Sequence, residues 1–328
     1  MIAPPGFIDL RGSVHVHSDQ SKDGCASLDE IRSAAAAVGL DFIVVTDHNH
    51  RTASIDDGAA LVVGGVEFGP HGHLLGIGHT EDFTSRQTRE ALRDRVHATG
   101  GIAIAAHPFD PREPFPRESL AGMDGMEIYS LSHDINQEGI ALYLLKLLVF
   151  PFDRYAILKS VVDVPREPLD AFDAIVRERD FLGLGATDAH GCTGLTHAMA
   201  FSIVQTHVLA RERSVPGILE ALRARRAYVS FEYRHAVQAF EFCAVRGERR
   251  LPIGSTIEAR PGWSLEIAVQ PAATIRLLRD GEVAGNWPDS SSAAEPVTTP
   301  GAYRVEVWYE HQPWILSNVI RVVERHLE

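Results

Sequence analysis

Cysteine is scarce: Cys25, Cys192 and Cys243 are the only three in 328 residues, and no two form a paired motif. This argues against a fold stapled by disulfides and predicts a reducing compartment, hence a cytoplasmic protein. Cys25 follows Asp23 by two residues and Cys192 follows His190 by two. A metal contact is therefore the alternative to ordinary small-residue packing for either one. Basic residues are outnumbered, 31 Lys and Arg against 44 Asp and Glu, for a net charge of −13 with His neutral. That excludes duplex nucleic acid gripped by a basic face. It leaves a small anionic substrate open, because bound divalent cations reverse a local field. Long apolar runs are absent too. The greasiest window, 140–152, is interrupted by Lys146 and Pro151 and is too short to span a bilayer. It reads as a buried or capping helix, and no membrane partner is expected. The start, Met1-Ile2-Ala3-Pro4-Pro5-Gly6, lacks the basic region and apolar core of a signal peptide. There is no Gly-x-Ser-x-Gly nucleophile elbow, no Walker-type phosphate loop and no internal repeat.

Five short polar motifs stand out against this background: His15-Val16-His17-Ser18, Thr46-Asp47-His48, Gly65-Val66-Glu67, Ala106-His107-Pro108 and Thr187-Asp188-Ala189-His190. Imidazole and carboxylate are the side chains that hold Zn, Mn and Fe at neutral pH. A strand-like apolar run leads into the motifs, as Phe42 to Val45 does into Asp47-His48 and Ile102 to Ala106 into His107. Ligands at several strand ends are what a barrel with its site at one mouth would carry. Alternation places His15 with His17 on one strand face, and Asp188 with His190 on another.

The chain grammar agrees. Ser27 and Glu30 make a capping box, the helix they start ends at Gly39, and a strand follows over Phe42 to Val45. Further helices are predicted at about 85–98 and 167–179. This β-α-β order predicts parallel strands with right-handed crossovers. After Tyr233 the grammar changes to strands and turns. Strands are expected over Trp263 to Val269 and Ala302 to Tyr309, a turn at Asp280-Gly281, and a loop from Trp287 to Gly301. The predicted organisation is a barrel over 1–233 and a small β-sandwich over 234–328. At 45% hydrophobic, the chain can build a full core for one large domain and a small one.

In chain order from His15 to His190, the motifs resemble those of the polymerase and histidinol phosphatase (PHP) superfamily. The run His73-Leu74-Leu75-Gly76-Ile77-Gly78, with the extension containing Ala224 to Ser230 and Pro313 to Asn318, looks most like the carbaryl-hydrolase-like branch. The resemblance implies a distorted (β/α)7 barrel followed by the small C-terminal β-sandwich. It also implies two to three divalent metal ions, Zn, Mn or Fe. His15, His17, Glu67 and Asp188 would hold the first, and Asp23, His48 and His190 the second. His73 and His107 would hold the third, with Glu67 bridging to the first. Asp19 competes with Asp23, and His71 and His79 share strand parity with His73. His50 is a candidate for substrate contact or for a surface position. Asp47 is expected to support its neighbours from outside the ligand set. Glu127 is either structural or in touch with the site, and His133 is a candidate general acid. Arg112, Arg117, Arg154 and Lys159 are candidate phosphate clamps.

Such a cluster predicts hydrolysis, because metals lower the pKa of a bound water and stabilise charge on a phosphate. The leading expectation is a phosphoesterase acting on a small phosphate ester or nucleotide, with Asp188 and His133 as catalytic residues. A carboxylic or carbamate ester hydrolase using the same cluster is the runner-up, and a non-catalytic metal-stabilised binding module the third. Basic side chains in the pocket favour phosphate, and apolar walls favour an uncharged ester.

Overall fold

The computed structural model describes residues 4–69, 72–82, 86–120, 122–132, 162, 165–192, 195–233 and 235–324. The segment 140–152 and the residues His71, His133, Arg154 and Lys159 lie outside them.

Seven strands close into a barrel: β1 (Ile8–Val16), β2 (Phe42–Val45), β3 (Leu61–Phe68), β4 (Leu74–Ile77), β5 (Ile102–Ala105), β6 (Gly125–Ser130) and β7 (Leu182–Ala189). Each pairs with the next, and β7 closes the ring on β1. All pairings are parallel except the two made by β4, which runs backwards between β3 and β5. That reversal is the distortion in the ring. It brings the start of β4 to the mouth where the other strands end.

Helices fill the crossovers: α1 (Leu28–Ala37), α2 (Arg89–Ala98), the short α3 (Arg117–Leu120) and α4 (Arg166–Glu178). The capping box on α1 is formed as expected, with Ser27 N–H donating to Glu30 Oε2 at 2.8 Å and Gly39 following in a left-handed turn. Strand residues divide by parity. Ile43, Val45, Ala103 and Ala105 pack with the helix residues Ile31, Leu92 and Phe172. Val44, Val63, Leu75, Ile104 and Leu184 face the opposite way and fill the interior. Both faces are buried, so these strands read as continuous apolar runs.

After β7 the short helix α5 (His197–Phe201) leads to β8 (Val204–Ala210), which lies antiparallel to β1 outside the closed ring. Helix α6 (Val215–Arg223) packs Ile218, Ala221 and Leu222 against the inward-facing set. Strand β9 (Ala227–Phe231) pairs with β8 on one side and with β16 (Gln312–Ser317) on the other. Among the described residues, every element beyond β9 is a strand: β10 (Ala239–Arg246), β11 (Arg249–Pro252), β12 (Thr256–Glu258), β13 (Ser264–Arg279), β14 (Glu282–Pro296), β15 (Gly301–Tyr309), β16 and β17 (Ile320–Val323). They enclose a second core that includes Phe240, Phe242, Leu265, Ile275, Val305 and Trp314, joined by Leu209 and Tyr228 from β8 and β9.

The turn at Asp280-Gly281 forms as predicted, both residues having positive φ (54° and 85°), the geometry that lets a two-residue hairpin match strand twist. The expectation of a loop over Trp287 to Gly301 is corrected: β14 runs through Pro296, paired along β13. Its Pro, Ser and Ala content opposes strand formation, yet pairing with a long neighbour supplies the backbone hydrogen bonds. Most of β14 is exposed, so its side chains carry little core pattern.

The polar face of β15 is buried against α4. Arg304 forms a two-pronged pair with Asp173, at 2.6 and 2.7 Å, and also meets Glu306 at 2.8 Å. Burial disfavours its charge, but Asp173 prevails and holds the Arg304 pKa above its ordinary value. Asn318 makes a second tie, its carboxamide accepting from Gly183 N–H at 2.7 Å and donating to the carbonyls of Gly183 and Ala227 at 2.9 Å. Removing one partner of a buried pair leaves an uncompensated charge. Asp173→Ala is therefore expected to lower the unfolding free energy by about 3 kcal/mol, the lower end of that cost because Glu306 remains. Urea denaturation measures it, and a loss near zero would show that the pair does not stabilise the junction.

Candidate metal centre

The strand ends gather the polar motifs at one mouth. His17 follows β1, His48 follows β2, Glu67 lies near the end of β3, His107 follows β5, and Asp188 and His190 lie at the end of β7. His73 precedes β4, and the reversal of that strand delivers it to the same mouth.

Local backbone re-aims three of these side chains. His15, His107 and Asp188 have positive φ (64°, 27° and 48°), uncommon for residues with a Cβ and found where a site holds the chain in place. The β1–β7 register shifts between Val14 and Val16 opposite Ala186 and Ala189. Val14 faces the interior and Val16 the helices, so parity flips across His15. The expected shared face of His15 and His17 is thus reached through a bulge rather than regular alternation.

Three clusters of ligand atoms result, each within 4.8 Å: His15, His17, Glu67 and Asp188; His17, Asp23, His48 and His190; and His48, Glu67 and His73. His107 joins the last, its Nε2 at 3.3 Å from both Glu67 Oε1 and His73 Nδ1. All nine residues named from the sequence therefore converge. One detail differs from expectation: His17 reaches both the first and second clusters. Asp188 falls in the first cluster and His190 in the second, as the resemblance implied.

The first cluster is buried. His15 Nε2 is 3.1 Å from Glu67 Oε2 and 3.4 Å from Asp188 Oδ1, and His17 Nε2 is 3.2 Å from both carboxylates. His15 Nε2, His17 Nε2 and Glu67 Oε2 are nonetheless buried without a hydrogen-bond partner. Buried polar atoms left unsatisfied in this way call for an ion or water between them. Burial opposes charge on His17, yet Asp188 and Glu67 overcome it and raise its pKa to about 9. His107 reaches about 9 against the same burial, through Glu67 first. Glu67 is held well below the carboxylate range despite burial, with His15 the main cause. A field that holds protons this firmly also attracts a cation. In the second cluster burial pushes the pKa of His48 and His190 down, leaving neutral imidazoles ready to ligate.

Neighbours hold these ligands. Ser21 Oγ donates to Asp23 Oδ1 at 2.7 Å and accepts from His48 N–H at 3.2 Å. A Cβ at Gly24 would meet the Ser18 carbonyl oxygen at 1.9 Å, so only glycine fits the turn that presents Asp23. Asp47 accepts from Ser18 N–H, Ser18 Oγ and Thr52 Oγ1 at 2.6, 2.8 and 2.9 Å, away from the ligands, as expected. His50 is exposed and does not line the cavity, and His79 is turned to the Glu81 carbonyl at 2.9 Å. Arg117 pairs with Glu167, away from the mouth.

The reading of the cysteines is corrected. Cys25 and Cys192 form a disulfide across 167 residues, so neither is a free metal ligand. Cys25 N–H also donates to the His190 carbonyl at 2.9 Å. The bond fastens the Asp23 turn to the His190 turn, a proximity that linear spacing does not reveal. Sequence reasoning also missed Glu113, whose carboxylate meets His73 Nε2, and Lys22, in the loop that presents Asp23. Lys22 had a signal in its adjacency to Asp23; Glu113 had none.

Above the clusters opens a cavity of about 610 Å³. Among the described residues its lining has no aliphatic or aromatic side chain except imidazole rings, and its cations besides histidine are Lys22 and Arg112. Arg112 is anchored to Asp110, Nε to Oδ1 at 3.0 Å and Nη2 to Oδ2 at 2.5 Å.

A closed β/α barrel with nine imidazole and carboxylate side chains at one mouth defines a protein whose ligand set fits divalent cations. No protein-family model matches the chain. An uncharacterised protein of Methanocaldococcus jannaschii is 24% identical over 143 residues, covering 38% of this chain and 84% of that protein. Of solved structures, a two-domain Bacteroides vulgatus protein described as containing a predicted PHP-like metal-dependent phosphoesterase aligns at TM-score 0.49 and 15% identity, over 96% of each chain. PsfC of Pseudomonas syringae aligns at TM-score 0.44 and 13% identity, over 68% of this chain and 91% of its own.

Two outcomes are expected. Protein purified without chelator should carry about two to three transition-metal ions per chain by elemental analysis, the number the three clusters accommodate; metal-free protein would oppose this reading. Denatured, unreduced protein should show one free thiol, the buried Cys243, and three after reduction. Three thiols before reduction would refute the bond.

Proposed function

We propose that this protein is a metal-dependent hydrolase of the PHP type, a phosphoesterase that cleaves a small phosphate ester or nucleotide. The observation that carries the reading is the wholly polar described lining of the 610 Å³ cavity, with ligand clusters at its floor and Lys22 and Arg112 in its wall. Apolar walls would suit a carbamate or an uncharged carboxylic ester; this lining, five carboxylates with Lys22 and Arg112, would suit an anion once bound divalent cations reverse the local field.

His15, His17, Glu67 and Asp188 would hold one metal, Asp23, His48 and His190 a second, and His73 and His107 a third shared through Glu67. When bound, such cations supply Lewis acidity and lower the pKa of water toward neutrality. The chain's own groups do the rest. Arg112, its guanidinium pre-set by Asp110, presents N–H groups to peripheral phosphate oxygens, and Lys22 adds a mobile positive charge. Gln20 and Asn49 offer hydrogen bonds to the ester substituent. Both carboxylates of the first cluster line the cavity, and Asp188 is the more exposed, 13% against 1% for Glu67. Its Oδ atoms are placed to orient an attacking water by accepting its hydrogen bond. We assign protonation of the leaving oxygen to His133 on its chemistry alone, an imidazole that titrates near neutral pH.

A hydrolysis panel on metal-reconstituted protein tests the substrate class. Phosphate mono- and diesters should be cleaved, and carboxylic and carbamate esters should not; the reverse preference would remove the phosphoesterase assignment and keep the metal mechanism. Asp188→Ala, assayed at saturating metal, should lose about 10²–10³-fold or more in turnover, the scale of losing one preorganised electrostatic contributor. Wild-type turnover in a folded, metal-loaded variant would reject the role of Asp188.

A further inference from the structure

We infer that Glu127 is a positioning residue of the metal centre, one that fixes the tautomer of His15 and the turn of His107 with a single carboxylate. The inference rests on the metal-centre reading above and adds a function for a residue outside the ligand set. Glu127 lies on β6, between the strands that carry His107 and Asp188, and is 1% exposed. Its two oxygens face two different ligands: Oε1 is 2.6 Å from His15 Nδ1, and Oε2 accepts from the backbone N–H of His107 at 2.7 Å.

The chemistry of each contact is constrained. A buried carboxylate 2.6 Å from an imidazole nitrogen requires a proton between them, so the His15 proton lies on Nδ1. In the neutral ring the lone pair of Nε2 is then free, and Nε2 is the atom aimed at Glu67 and Asp188. The opposite tautomer would point an N–H into the first cluster and block it. The carboxylate also makes the imidazole a stronger ligand, as carboxylate–histidine pairs do at metal sites. The second contact acts on backbone. His15 and His107 both have positive φ, and the hydrogen bond to His107 N–H holds one of these turns while the ring contact holds the other. Their rings stack with centroids 5.7 Å apart. Glu127 thereby ties the first cluster to the third from behind, as Glu67 does from within.

Glutamine is the informative replacement because it keeps the shape and halves the acceptors. Two N–H donors face Glu127, and a carboxamide has one oxygen. In Glu127→Gln either His107 N–H loses its acceptor or His15 meets an NH₂ group and shifts its proton to Nε2. Binding of Zn²⁺, measured by chelator competition on the full chain, should weaken about 10–100-fold for one class of site, the range for loss of a partner behind a ligand. The His17, Asp23, His48 and His190 cluster makes neither of the two Glu127 hydrogen bonds and shares only His17 with the first, so its affinity should change least.

Two-bond ¹H–¹⁵N correlation spectra of histidine-labelled wild-type protein provide a second readout that needs no variant. In the Zn²⁺-loaded protein His15 should carry its proton on Nδ1. A proton on Nε2, or Zn²⁺ affinity in folded Glu127→Gln equal to wild type at every site, overturns the inference. A role in packing alone would lower the melting temperature of the variant and leave Zn²⁺ affinity unchanged, which also counts against it. Wild-type protein that binds no Zn²⁺ removes the metal-centre reading itself and this inference with it. Zn²⁺ binding with the wrong His15 tautomer removes only the role of Glu127.

Discussion

A single buried carboxylate sets the terms for the mouth of this barrel. Glu67 is 1% exposed, and five imidazoles stand around it: His15, His17, His48, His73 and His107, at 2.6 to 3.3 Å. An ionised carboxylate taken out of water is costly unless positive charge or hydrogen-bond donors surround it. In the metal-free protein raised imidazole pKa values at His15, His17 and His107 supply that compensation. Divalent cations held by these residues would supply it as well. The five histidines come from four strand ends, His15 and His17 from β1 and the others from β2, β4 and β5, so satisfying Glu67 requires the ring of strands to close correctly.

Much of the remaining architecture delivers side chains to that point. The reversal of β4 brings His73 to the ligand mouth. The bulge at His15 and the left-handed turn at Asp188 occur at the same level of adjacent strands, where ordinary alternation would aim side chains elsewhere. Such conformations persist only when their surroundings over-determine them. Here the surroundings are visible: Glu127 behind His15 and His107, the disulfide fastening the Asp23 and His190 turns, and His197 Nε2 at 3.1 Å from the His17 carbonyl and 3.2 Å from that of Ala189. Farther out, Asn318 grips β7 from the C-terminal strands, so the strand carrying Asp188 is clamped at two levels.

The C-terminal strands add no residue to the three clusters among the described residues. Their contribution is mechanical. Pairing of β9 with β16 and the Arg304–Asp173 pair make the second core continuous with the barrel wall. This explains why β15, whose alternation shows Arg304 and Glu306 on one face, has that face buried: it meets α4 and its acid rather than water.

The sequence by itself determined the elements and the ligand chemistry. Apolar runs of strand length, the Ser27–Glu30 capping box and the Asp280-Gly281 turn are local signals, set by periodicity and backbone preference within a few residues. The nine ligand candidates were legible for the same reason: imidazoles and carboxylates at the ends of apolar runs form short motifs, and the motif order resembles a known superfamily. Tertiary structure decided what depends on pairs distant in sequence. Linear spacing contained no sign that Cys25 would meet Cys192, that Glu113 would meet His73, or that Glu127 would serve both His15 and His107. The polar run of β14 became a strand because β13 offered it partners, against its own propensity. His17 came to serve two clusters because the bulge at His15, two residues earlier, re-aimed the chain. Which face a side chain takes is local only while the strand is regular. At a bulge it is set by the neighbouring strand, and that neighbour is known only once the barrel has closed.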